Sequence, residues 1–219
     1  MLRNRRDFLG TLAAGAAASA LPSLASQADG KRPNIVFLLT DDQAYNAMGC
    51  MGNKEIKTPN MDRLGAQGVI FDRHYNTTAI CMASRANIMT GMYEYKTGCN
   101  FMHGSLASDK FQLSYPVLLR KAGYRTGFAG KFGFAVTPEM SENESDASYD
   151  VMPIGEFDWW RGWAGQGSFE TRRNKYMAEY ADEYPHVTRA LGAAAREFIL
   201  PVDQLQGAPQ AARAGPAVR

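Results

Sequence analysis

The sequence has 219 residues, 45% of them hydrophobic and 21% charged, with three cysteines, three histidines and a formal net charge of +2. This is the composition of a globular chain, and it excludes fibrous and low-complexity classes. The near-neutral balance gives no electrostatic case for nucleic acid or an anionic membrane as partner. The cysteines and histidines are scattered, without zinc-type spacing.

Residues 1–28 read as a targeting segment. Arg5 and Arg6 form a pair, Phe8 and Leu9 follow, and a short run rich in Ala and Gly spans residues 12–21. Small residues offer cleavage after Ala25 or Ala28. The pattern is similar to a bacterial twin-arginine signal, and its apolar run is too short for a permanent span. It predicts export through the twin-arginine machinery to the periplasm or beyond, with a mature chain beginning near Asp29. Export permits disulfides, and three cysteines are an odd number. Cys50 and Cys99 could pair and leave Cys81 over, or both could stay reduced.

The apolar run NIVFLL at residues 34–39 predicts a strand buried on both faces, as in a parallel sheet. Thr58 is a candidate N-cap, Pro59 a first helical residue and Gly68 a stop. Residues 69–71 look extended. A helix is predicted over residues 82–89, and another over 116–122, capped by Ser114 and stopped by Gly123. YRTGFAG predicts a second interior strand ending at Lys131. Residues 137–175 lack sustained periodicity and read as a long, partly ordered excursion. Within it, Trp159, Trp160 and Trp163 either pack under the loop or line a pocket. Val187, Leu191, Ala194, Ala195 and Phe198 form one helical stripe. Residues 201–219, rich in Ala, Pro, Gln and Arg, read as a disordered or out-of-frame tail. Alternating strands and helices predict an α/β fold with a mainly parallel central sheet flanked by helices.

The polar residues fall where such a sheet binds ligands. Asp41 and Asp42 follow the first strand and Lys131 ends the second, and ligands bind at the carboxyl ends of strands in open α/β sheets. Adjacent carboxylates suit a hard cation such as Ca²⁺ or Mg²⁺, although Asp-Asp after a strand also serves as a turn. Cys81 opens a helix whose first N–H groups favour an anion, and Arg85 lies four residues on, on the same face. A guanidinium there suits sulfate or phosphate, and it equally suits a surface ion pair.

CMASRANIMTG, with Cys81, Ala83, Arg85, Thr90 and Gly91, resembles the signature of the type I sulfatases, C-x-[P/A]-x-R-x-x-x-x-T-G. Three flanking segments match in order. RPNIVFLLTDDQ resembles the family's first strand and metal-binding aspartates, KTPNMDRLGAQGVIFDRHY its next helix and strand, and AGYRTGFAGKFG its Gly-Lys-Trp-His segment. The resemblance runs over residues 32–199 and implies an alkaline-phosphatase-like fold. It makes residues 29–200 the N-terminal part of a sulfatase catalytic domain, with the sheet incomplete at its C-terminal end.

The implied activity is sulfuric ester hydrolysis of a sulfated small molecule or glycan. Cys81 would be oxidised by a maturation enzyme to Cα-formylglycine, whose hydrate is the nucleophile. Arg85 would hold that hydrate and Lys131 the sulfate. Asp41, Asp42 and the modified Cys81 would bind one Ca²⁺, with Mg²⁺ the lesser alternative. The family's histidine two residues after the lysine is absent, because Gly133 stands there. His103 has no motif to mark it as a substitute. Two alternatives stay open: a phosphate or phosphonate ester hydrolase of the same superfamily, and a non-catalytic, truncated chain.

Overall fold

The computed structural model describes residues 32–141 and 151–200. The expected targeting segment and the expected tail both lie outside these residues. The chain divides into two units, Met1–Ala44 and Tyr45–Arg219.

In the described part of the first unit, residues 32–40 join no β-ladder. Ile35, Val36, Phe37, Leu38 and Leu39 are exposed. The expected interior strand is therefore not formed. Such a strand needs hydrogen-bonded neighbours and cover on both faces, and neither parallel pair of the fold includes it.

In the second unit the helices form close to where local chemistry places them. Pro59 sits at the first turn of α1 (Pro59–Gln67), where its missing N–H costs nothing. Thr58 holds the N-cap position without a capping bond. Its hydroxyl instead donates to Asp62 at 2.9 Å and accepts from the Gly49 N–H at 2.8 Å. The helix α2 (Cys81–Thr90) buries Met82, Ala83, Ala86, Asn87 and Met89. Its two alanines let the helix approach the core closely. A short helix, α3 (Glu94–Thr97), leads into β1 (Leu106–Ala107), α4 (Ser108–Phe111) and α5 (Tyr115–Lys121). Ser114 precedes α5 as expected, yet its side chain makes no cap bond.

Two parallel pairs carry the sheet among the described residues. β1 pairs with β3 (Val136–Thr137), Leu106 opposite Val136. β2 (Gly127–Lys131) pairs with β4 (Trp159–Trp163), from Gly127 opposite Trp159 to Lys131 opposite Trp163. The pairing runs on past both strands, through Phe132 N–H to Trp163 C=O at 2.8 Å and Gly133 N–H to Ala164 C=O at 3.0 Å. Parallel strands with flanking helices are the expected α/β class. The excursion read over residues 137–175 is corrected, because β4 lies inside it. A strand covered on both faces carries apolar residues on both and shows no alternation.

That double cover builds two cores. Phe128 and Trp160 face a cluster with Phe111, Phe132, Phe134 and Phe157. Trp159 and Trp163 face the other way, toward α6 (Val187–Ile199), whose Val187, Ala190 and Ala194 are buried. All three tryptophans thus pack in the cores, and Trp163 also borders a cleft. The predicted α6 stripe holds at Val187, Leu191, Ala194 and Phe198, and Phe198 lies 5.4 Å from the Trp159 ring.

All three cysteines are free thiols. Burial, then the charge of Glu94, pushes the Cys99 thiol up to about 12. Since the thiolate is the reactive form, its fraction at pH 8 falls by roughly a thousandfold. Iodoacetamide at pH 8 is expected to label Cys99 only when the chain is unfolded, read by peptide mass spectrometry. Rapid native labelling would contradict its burial.

Candidate active site

The α2 helix starts at Cys81 with Ile80 at its N-cap, extended and without a side-chain cap. The approach is anchored from within the helix. Asn87 Nδ2 donates to the hydroxyls of Thr77 and Thr78 at 3.2 and 3.4 Å, which ties down the segment that delivers Cys81. Nothing in the periodicity of CMASRANIMTG distinguishes this role for Asn87 from packing. Cys81 itself is half-buried.

Arg85 projects one turn further along the same face. Its Nη1 donates to the backbone carbonyl of Lys131 at 2.5 Å. The two residues singled out from sequence therefore meet, across 46 positions of chain, through the Lys131 backbone at the carboxyl end of β2. Lys131 Nζ donates to Gln166 Oε1 at 2.7 Å. Gln166 has no sequence signal of its own, because it depends on where the loop after β4 turns back.

Gly133 explains how the two cations fit. Its φ is +86°, and a Cβ there would lie 2.7 Å from Arg85 Cδ, 3.3 Å from Arg85 Nε and 3.5 Å from Lys131 Cε. The left-handed backbone and the close approach both demand glycine. This is the position where the resembled family carries histidine, so a side chain there and the present course of Arg85 exclude each other. His103 lies on an exposed turn with its Nδ1 3.1 Å from Asn100 Oδ1.

Asp41 and Asp42 belong to the first unit, where both are exposed. Asp42 has φ +50°, a left-handed conformation that aspartate tolerates better than most residues. Among the described residues no group of three or more His, Cys, Asp or Glu side chains could hold a metal ion. A Ca²⁺ shell takes about six to eight oxygens. Asp41 and Asp42 together offer four such oxygens.

Chemically, the second unit presents a helix start, a guanidinium and an ammonium at one end of a parallel pair. Such cations stabilise charge spread over the oxygens of a tetrahedral anion.

A family model described as Sulfatase matches residues 33–210. The N-acetylglucosamine-6-O-sulfatase of Bacteroides thetaiotaomicron is 40% identical over 109 residues, covering 50% of this chain and 19% of that protein. Arylsulfatase H of Canis lupus familiaris is 35% identical over 141 residues, covering 60% and 24%. Among solved structures, the crystal structure of Ps i-CgsB superposes with a TM-score of 0.53 and 28% identity, over 74% of this chain and 35% of that one. The matches span 19% and 24% of the length of these two curated relatives.

Proposed function

This chain belongs to the Sulfatase family, and from that membership we propose that Cys81, Arg85 and Lys131 are the reacting residues of a sulfuric ester hydrolase. The observation that carries the reading is the bond from Arg85 to the Lys131 carbonyl. It joins the helix opened by Cys81 to the strand end that bears the lysine.

The proposed modification of Cys81 is a two-electron oxidation at Cβ. The C–S bond is replaced by C=O, sulfur leaves at the sulfide level, and a maturation enzyme supplies the oxidant. Hydrated, that aldehyde supplies an oxygen nucleophile for the sulfur of the ester and, on collapse, releases sulfate. Arg85 holds the modified residue from one turn along the helix. Lys131 binds the sulfate oxygens and neutralises charge as the alcohol departs. Gln166 orients the lysine ammonium. Ca²⁺, with Mg²⁺ the lesser alternative, is proposed as the metal that Asp41 and Asp42 help to bind, while the protein's own cations meet the charge of the reacting group.

The relative from Bacteroides thetaiotaomicron acts, by its name, on a sulfated amino sugar. A sulfated saccharide is accordingly the proposed substrate class. Residues 1–28 are proposed as a twin-arginine signal, which would place the protein in the periplasm or outside the cell.

The test is coexpression with a formylglycine-generating enzyme, then mass spectrometry of the Cys81 peptide. The expected result is a loss of about 18 Da, the mass by which an aldehyde differs from the thiol it replaces. Paired assays with an aryl sulfate and an aryl phosphate accompany it. An unmodified Cys81 without sulfate release would sink the proposal, and a strong phosphate preference would reassign the chain to phosphoester hydrolysis.

A further inference from the structure

Two buried donors stand at the end of β4. The indole Nε1 of Trp163 and the amide Nδ2 of Asn174 find no acceptor among the described residues, with Trp163 5% and Asn174 3% exposed. The Asn174 amide is oriented by its own Oδ1, which accepts the Tyr176 N–H at 3.2 Å. Its Nδ2 is therefore the group left to donate.

Both donors lie beside Gly167. A Cβ built on Gly167 would lie 2.6 Å from Trp163 Nε1 and 3.2 Å from Asn174 Nδ2. Trp163, Gly167 and Asn174 line a single cleft of about 430 Å³, with Arg173 and Lys175 also in its wall. Arg173 is paired with Glu170 at 2.9 Å and Lys175 lies over the Tyr176 ring at 4.8 Å. The wall thus combines two neutral N–H donors with two cations, a set that recognises an oxyanion. Buried donors without acceptors cost stability unless a ligand supplies them.

The cleft is tied to the candidate active site. Lys131 and Trp163 are register partners, so their side chains leave the ladder on the same face. Gln166, which holds the Lys131 ammonium, lies between Gly165 and Gly167 of the cleft wall.

We propose that this cleft is a second recognition site, which takes a carboxylate borne on a saccharide. Donation by Trp163 Nε1 and Asn174 Nδ2 fixes the oxyanion, and the rim cations draw it in. The saccharide identity of the ligand rests on the sulfatase reading above, while the donor geometry does not.

The test uses the full chain labelled with ¹⁵N. Three indole N–H signals are expected from its three tryptophans, and Trp163→Phe identifies one of them. Sodium glucuronate is expected to shift the Trp163 signal saturably. Glucose and inorganic sulfate are expected to act at least tenfold more weakly. Asn174→Asp, which replaces the donor with a repelling carboxylate, is expected to weaken glucuronate at least tenfold. If that variant loses its dispersed spectrum, Lys175→Met is expected to weaken it at least threefold. An unmoved Trp163 signal overturns the proposal, as do equal responses to the three probes or variants that bind as well as the parent chain. The signal does not depend on turnover. An unmodified, inactive Cys81 with a responsive Trp163 therefore refutes only the sulfatase reading, and the reverse pattern refutes only this site.

Discussion

Truncating Phe132 to alanine is expected to destabilise the protein by about 3–5 kcal/mol. The Phe132 ring is fully buried at the crossing of several aromatic contacts. Its centroid lies 4.3 Å from Phe134, 5.3 Å from Phe128, 5.5 Å from Trp160 and 6.0 Å from Phe111. Alanine would remove the buried ring and leave a cavity that four ring neighbours cannot close without leaving their own positions. Urea unfolding measures the cost. Phe132→Leu, closer in volume, is expected to lose less. A loss below about 1 kcal/mol for the alanine variant would mean that the cluster collapses freely, against the close packing of its rings. Phe132 stands between Lys131 and Gly133, so the same truncation loosens the backbone that carries the proposed sulfate-binding cation.

Gly133→Val is expected to cost about 2–4 kcal/mol, because two penalties act together. A β-branched residue is strained at φ +86°, and its Cβ would stand 2.7 Å from Arg85 Cδ. The first penalty is local. The second is relieved if the arginine side chain is removed. Arg85→Ala in the same chain is therefore expected to recover about 1 kcal/mol or more of the valine cost in a double-mutant cycle. Strict additivity of the two substitutions would show that Gly133 and Arg85 do not meet. The variant is also expected to reduce any sulfate release, since Arg85 must swing away from the Lys131 carbonyl.

What was legible in the sequence follows the range of the forces involved. Local chemistry determined α1, α2, α5, β2 and α6, because prolines at first turns, glycine stops and helical stripes act within a few residues. The motif order in CMASRANIMTG and AGYRTGFAGKFG picked out Cys81, Arg85 and Lys131, and residues 33–210 match the Sulfatase family model. Tertiary structure decided the rest. It made a strand of Trp159–Trp163, whose apolar residues face two cores at once and so leave no alternation to read. It left residues 34–39 outside both ladders, because an apolar run becomes an interior strand only when partners meet it on both sides. The contacts of Arg85 with the Lys131 carbonyl, of Lys131 with Gln166, and of Trp163 and Asn174 around Gly167 join residues far apart in the chain or across a turning loop. The sequence by itself singled out the residues proposed to carry the chemistry. Only the packed chain decided which of them touch, because hydrogen bonds and steric contacts depend on distances in space that spacing along the chain does not encode.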